Sequence, residues 1–232
     1  MTGHRNGRGD PEKNARNPNR SRTEARYALT KQGIRRGLDA VDCKDPAVRR
    51  AIKRLGYPQP RRRPAGFETL LRIIVGQQLS TQAAATIYAR LTDAMSAHDS
   101  PAALLRLRRP RLRKAGLSRQ KIEYARALAK AVDGGELDFA AMACQTDEQV
   151  IEQLTSVKGL GVWSAHMYLM FSLGRIDVWP GGDLAVRAAL QGIKGLEARP
   201  TEAQSAKLAQ AWQPYRSCVA LLCWKYVSNP PA

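Results

Sequence analysis

The run Arg175-Ile176-Asp177-Val178-Trp179-Pro180-Gly181-Gly182-Asp183-Leu184 leads from an apolar segment, through a Pro-Gly-Gly turn, to a carboxylate that opens the next helical pattern. Asp is among the preferred N-cap residues, so the spacing predicts that Asp183 caps a helix. A helix N-terminus favours negative charge, and the two glycines put no side chains in the way of an approaching group. An anion fixed there suits chemistry that develops positive charge. Cleavage of a glycosidic bond is one such reaction, because its transition state resembles an oxocarbenium ion and its attacking water needs orienting. Capping alone would also explain an Asp at this position, and the two roles are compatible.

A second informative segment precedes it. Leu154, Val157, Gly159, Leu160, Gly161, Ser164 and Ala165 spell L-x-x-V-x-G-L-G-x-x-S-A between two apolar helical patterns. The connection is short enough only for a tight hairpin. Its glycines permit unusual backbone conformations and expose successive N–H groups at a helix N-terminus, which makes a cradle for a phosphate. A plain turn between packed helices would use the same residues.

The elements that must position these groups read as helices throughout. Phe67, Leu70, Leu71, Ile74 and Val75 fall on one stripe that ends near Gly76. Ala84, Ile87, Tyr88 and Leu91 repeat the spacing, as do Ile122, Ala125, Ala129 and Val132, then Val186, Leu190 and Ile193, and then Val219, Leu222, Cys223 and Tyr226. Strand-like alternation is nowhere sustained, and Asp99-Ser100-Pro101, Asp133-Gly134-Gly135 and the stretch from Gly192 to Pro200 punctuate the helices. The expected fold class is all-α.

Composition narrows the partner. The 232 residues carry 38 Lys and Arg against 20 Asp and Glu, a formal charge of +18, with 44% hydrophobic residues. That is enough apolar material for a real core, under a surface whose positive potential attracts polyanions. Nucleic acid leads, although excess Arg also serves solubility. The residues before about Arg26 hold almost no large apolar side chains, so residues 1–28 are expected to form a disordered basic tail and residues 29–232 the helical domain, with the hairpin over about 148–172. Basic clusters at Arg61-Arg62-Arg63 and over Arg106, Arg108, Arg109, Arg111, Arg113 and Lys114 are either further phosphate contacts or a solvated face. Four irregularly spaced cysteines suggest neither a disulfide framework nor a zinc site, and His4, His98 and His166 show no metal-ligand spacing. No apolar run reaches the length of a membrane span, and no secretory h-region is present.

Hairpin, spacing and carboxylate together resemble the helix-hairpin-helix superfamily of DNA glycosylases, and within it the alkylation-repair branch of the 3-methyladenine DNA glycosylase II type, over roughly residues 64 to 228. The resemblance implies a two-lobed helical fold with a cleft between the lobes, in a compact form without the extra N-terminal domain of larger members. It implies that Asp183 is the catalytic residue, and that the motif Gly76-Gln77-Gln78-Leu79-Ser80 is a wedge whose Gln78 and Leu79 enter the duplex. Trp163, Tyr215 (from Trp212-Gln213-Pro214-Tyr215-Arg216-Ser217) and Met167 would line the base pocket, while Lys158, Gly159 and Gly161 would grip a phosphate. Met167 stands where this branch can carry a Tyr, which leaves the lesion range open. Aromatic walls suit alkylated purines, which are cationic.

The resemblance also implies what is missing. Bifunctional members place a Lys nucleophile where this chain has Trp163, and iron–sulfur members carry four closely spaced cysteines, so a monofunctional hydrolase without cofactors is expected. A monovalent cation on hairpin carbonyls is compatible with such motifs. The expected partner is double-stranded DNA with damaged bases, with no membrane and no obligate protein partner, in a bacterial cytoplasm. The alternatives are a glycosylase for deaminated or oxidised bases, and a helix-hairpin-helix protein that binds DNA without chemistry.

Overall fold

A computed structural model describes residues 29–96 and 100–230. The expected tail over residues 1–28, together with His4 and His98, lies outside the described residues. Among the described residues there is no strand: helices α1 (Lys31–Asp42), α2 (Pro46–Leu55), α3 (Phe67–Gly76), α4 (Thr81–Ala94), α5 (Pro101–Arg106), α6 (Arg109–Ala115) and α7 (Arg119–Asp133) are followed by the short α8 (Phe139–Met142). Then come α9 (Asp147–Ser156), α10 (Val162–Phe171), α11 (Leu184–Lys194), α12 (Glu202–Ala209), a 3-10 turn (Gln210–Trp212) and α13 (Arg216–Ser228). The all-α expectation holds.

Local chemistry sets many of these boundaries. Thr30, Ser80, Ser100, Ser118, Thr146 and Thr201 each accept a backbone N–H of the following turn, which satisfies a donor the helix leaves unpaired. Thr146 with Gln149, and Thr201 with Gln204, form reciprocal capping boxes. The stripe predicted for α3 is the buried one: Leu70, Leu71, Ile74 and Val75 are all fully enclosed.

The helices sort into two groups. The first two, α1 and α2, pack against α13, and α2 also meets α11, while α11 and α13 form the tightest pair of this group. The central helices pack among themselves, with α7 against α3 and α5, and α4 against α3 and α6. Helix α10 packs on α9 and α3 and joins the groups through Phe171, which stacks on Trp224 of α13. Residues 29–63 are therefore part of the body of the protein, with Ile34, Leu38 and Val48 fully buried. Gly37 lets α1 come close to the start of α13, because a Cβ there would lie 2.7 Å from Cys218 Sγ and 2.9 Å from the Tyr215 ring. No helix among the described residues is long and apolar enough to cross a membrane.

Candidate active site

The predicted cap is present. Asp183 precedes α11, and its Oδ1 accepts the Val186 N–H at 2.9 Å. Two indoles also address this carboxylate: Trp163 Nε1 donates to Oδ2 at 2.9 Å and Trp224 Nε1 to Oδ1 at 3.3 Å. Three donors from α10, α11 and α13 thus fix its orientation, and donors to an ionised acceptor make the stronger class of hydrogen bond.

The approach to Asp183 is held as firmly. Arg216, at the start of α13, binds Asp177 through Nε to Oδ1 at 2.8 Å and Nη2 to Oδ2 at 3.0 Å, and donates Nη2 to the Asp177 carbonyl at 2.9 Å. The Ser217 hydroxyl donates to the Arg175 carbonyl at 2.9 Å and accepts the Val178 N–H at 2.8 Å. The Asp183 N–H then closes the turn on the Pro180 carbonyl at 2.9 Å. Residues 175–183 have no regular structure of their own, and these contacts give them one shape.

Asp183 faces a cavity of about 340 Å³. Trp163, Met167 and Phe171 reach it from successive turns of one face of α10, as the i, i+4, i+8 spacing requires, and Trp224, Tyr88 and Leu79 complete much of the wall. Phe171 and Trp224 stack in a tilted pair with centroids 5.6 Å apart. Arg61, Arg63 and Arg72 also line the cavity; Arg72 lies 3.7 Å from the Tyr88 ring centre and pairs with Glu68, and Arg61 lies 5.9 Å from the Trp224 ring centre.

The structure brings Asp183, Trp163, Met167 and Leu79 together at this cavity. Tyr215, which the resemblance also assigned to the base pocket, is not among the residues that line this cavity. It sits just before α13, and its ring closes on the space that Gly37 leaves beside α1. The aromatic that α13 does send to the cavity is Trp224. Sequence reasoning missed it, as it missed Arg61, Arg63 and the aromatic Tyr88. The basic run at 61–63 was visible, but nothing in it indicated a cavity wall.

Gln78 stands exposed at the tip between α3 and α4 with φ 56°, a left-handed conformation uncommon for a residue with a side chain. Its neighbour Gln77 donates Nε2 to the Gly159 carbonyl at 2.9 Å, which ties this tip to the hairpin. Lys121 Nζ donates to the Val75 carbonyl at 2.7 Å, and burial lowers its pKa below the ordinary lysine value.

In the hairpin the two glycines do different work. Gly159 has φ 98°, and an added Cβ would lie 2.2 Å from Cγ of Tyr124, so both the backbone and the packing demand glycine. Gly161 has an extended φ of −111° and caps α10 without a side chain; a Cβ there would meet nothing within 4 Å. Beside it Lys158 is exposed, and Val162 is 49% exposed. The N–H groups at the start of α10 are therefore open toward solvent, as an anion site requires.

His166 lies elsewhere, in a smaller cavity with Asp147, Asp177 and Arg216. Burial, partly opposed by Glu202 and reinforced by Arg216, lowers its pKa below the ordinary histidine value. Among the described residues, no group of three or more His, Cys, Asp or Glu side chains could hold a metal ion.

A helical body with a glycine hairpin, and an Asp at a helix start facing an aromatic cavity, defines a class. The model of the HhH-GPD superfamily of base excision DNA repair proteins matches residues 71–214, and the chain belongs to that superfamily. It is 30% identical over 187 residues to DNA-3-methyladenine glycosylase 1 of Schizosaccharomyces pombe, a match covering 78% of this chain and 82% of that one. It is 27% identical over 199 residues to DNA-3-methyladenine glycosylase 2 of Escherichia coli, covering 79% and 67%. A crystal structure of a DNA-3-methyladenine glycosidase from Bacillus halodurans superposes with a TM-score of 0.74 at 34% identity, covering 83% of this chain and 89% of that one. The S. pombe 3-methyladenine DNA glycosylase in complex with abasic DNA gives a TM-score of 0.74 at 29% identity, covering 79% and 92%.

Proposed function

We propose that this protein is a monofunctional DNA glycosylase that excises alkylated bases, of the 3-methyladenine and 7-methylpurine type, by hydrolysing the N-glycosidic bond and so starting base excision repair. One observation carries the reading: the Asp183 carboxylate is held by the indole N–H groups of Trp163 and Trp224 beside a cavity walled by aromatic rings. A base turned out of the duplex meets π faces there, and the carboxylate faces the positive charge that develops on the sugar. Alkylation at a ring nitrogen makes the base a cation that stacks well and leaves easily, so hydrolysis proceeds without a cofactor.

The roles of the other residues follow. Gln78 and Leu79 at the tip between α3 and α4 take the space the base vacates, and Lys158, Gly159 and Gly161 hold a backbone phosphate at the start of α10. Trp163, Met167 and Trp224 bound the base. Among the described residues no lysine lines the cavity, which supports hydrolysis by water over an amine nucleophile. The catalytic domain on this reading spans residues 29–232. On this reading the protein works on genomic DNA, and in a bacterial cell it would act at the nucleoid in the cytoplasm.

The test is release of 3-methyladenine and 7-methylguanine from methylated duplex DNA by the wild type and by Asp183→Asn. The wild type should release base and leave an unbroken abasic strand, while Asp183→Asn binds the duplex and releases about a hundredfold to a thousandfold less. Equal release by both proteins, or release of neutral lesions alone, would sink this reading.

A further inference from the structure

Between Ser100 and Ile122 the chain carries no Asp or Glu, while Arg106, Arg108, Arg111, Arg113, Lys114 and Arg119 are all exposed. Arg109 is exposed as well, with its guanidinium paired with Glu123. Arg106, Arg108, Arg111 and Lys114 surround one shallow cleft floored by Ala94, Leu107 and Pro110. Like charges gathered on one face repel one another, so such a face is stabilised by a polyanion lying on it.

Its position says which polyanion. The cleft is at the Ala94 end of α4, whose opposite end carries the Gln78 tip; 14 residues at about 1.5 Å each put the two ends about 21 Å apart, roughly six base pairs of duplex. Helix α6 runs back along α4, with Gly116 against Ile87. The chain then enters α7, where Lys121 reaches the Val75 carbonyl beside the tip. The cleft and the tip thus lie at opposite ends of α4, with α6 and the start of α7 alongside it.

We propose that the α5–α6 face is a second phosphate-contact surface, engaging the same duplex about six base pairs from the lesion and contributing to affinity without contributing to excision. The proposal rests on the DNA-binding reading above. It assigns no chemistry to the cleft.

The experiment compares the wild type with the triple variant Arg108→Ala, Arg111→Ala, Lys114→Ala on duplexes of about 11 and about 25 base pairs with a central abasic-site analogue, over a fourfold range of salt. With full engagement, the slope of log affinity against log salt on the long duplex should become shallower by about 2.7, equivalent to about 40-fold over that range. The short duplex ends before the cleft, so binding to it, and single-turnover excision from a duplex of the same length that carries a methylated base instead of the analogue, should not change. Arg108→Lys with Arg111→Lys should keep the wild-type slope. An unchanged slope on the long duplex overturns the proposal, as does an equal loss on both lengths. Failure of the wild type to bind either duplex would instead overturn the DNA-binding reading itself.

Discussion

The Trp163 indole donates to Asp183 Oδ2 at 2.9 Å, joining the second residue of α10 to the cap of α11 across 20 residues of chain. The bond makes Trp163 both a wall of the cavity and a clamp on the carboxylate. Trp163→Phe keeps most of the wall and removes the donor. A hydrogen bond to a charged acceptor is worth about 1.5–3 kcal/mol, so single-turnover base release should fall roughly tenfold to a hundredfold while affinity for abasic duplex changes little. Loss of binding in step with release would mean that the ring, and not its N–H, is what matters.

Gln77 makes the corresponding link on the other side of the site, from the α3–α4 tip to the Gly159 carbonyl. If that bond sets the tip against the hairpin, Gln77→Leu should weaken extrusion of the target base, read as a smaller 2-aminopurine fluorescence change beside the lesion, while undamaged duplex still binds. Gln77→Glu should be worse, because it turns a carboxylate toward a carbonyl oxygen. Equal extrusion by all three proteins would leave Gln77 with no positioning role.

Much of this arrangement was legible in the sequence wherever short-range rules decide it. The Asp183 cap, the α3 stripe and the α9–α10 hairpin each depend on residues within a few positions of one another. What the sequence hid depends on contacts between distant segments. Trp224 belongs to α13, in which every residue from Ser217 to Cys223 is buried. Where a helix is enclosed on all sides, a stripe such as Val219, Leu222, Cys223 and Tyr226 does not show which face meets the cavity. Helices α1 and α2 are dense in Lys and Arg, which masks the Ile34, Leu38 and Val41 stripe. Arg216 and Ser217 sit in a motif that drew attention to its Tyr, whereas the structure shows them holding residues 175–178 on the path to Asp183.

The two hairpin glycines allow a paired test. At Gly159 alanine would have to adopt φ 98° with its Cβ inside the Tyr124 ring, so Gly159→Ala should destabilise the fold by about 2–4 kcal/mol in urea unfolding. At Gly161 an added Cβ meets nothing within 4 Å among the described residues, and Gly161→Ala should cost only the difference between Gly and Ala at an N-cap, about 0.5–1 kcal/mol. A methyl at the open start of α10 should nonetheless weaken duplex binding. Equal stability losses at the two positions would show that both glycines serve the fold.

The far end of α11 has its own anchor, and pH should reveal it. Lys194, in the last turn of α11, meets Asp45 Oδ2 at 2.9 Å, and the same oxygen accepts the Trp212 indole at 2.8 Å, while Oδ1 caps α2. Burial alone would raise the pKa of Asp45, but Lys194, Trp212 and the Val48 N–H outweigh it and hold the pKa below the ordinary aspartate value. A carboxyl with a lowered folded pKa stabilises the protein fully above its unfolded pKa of about 3.9, and that contribution is lost as pH falls through the folded value. The wild-type unfolding temperature should therefore drop on acidification below about pH 4, with Asp45→Asn less stable by about 2–4 kcal/mol at neutral pH and less sensitive to acid. Because α11 runs from Asp183 to this anchor, Asp45→Asn should also slow base release at temperatures where the fold is still intact. Unchanged release under those conditions would confine Asp45 to stability.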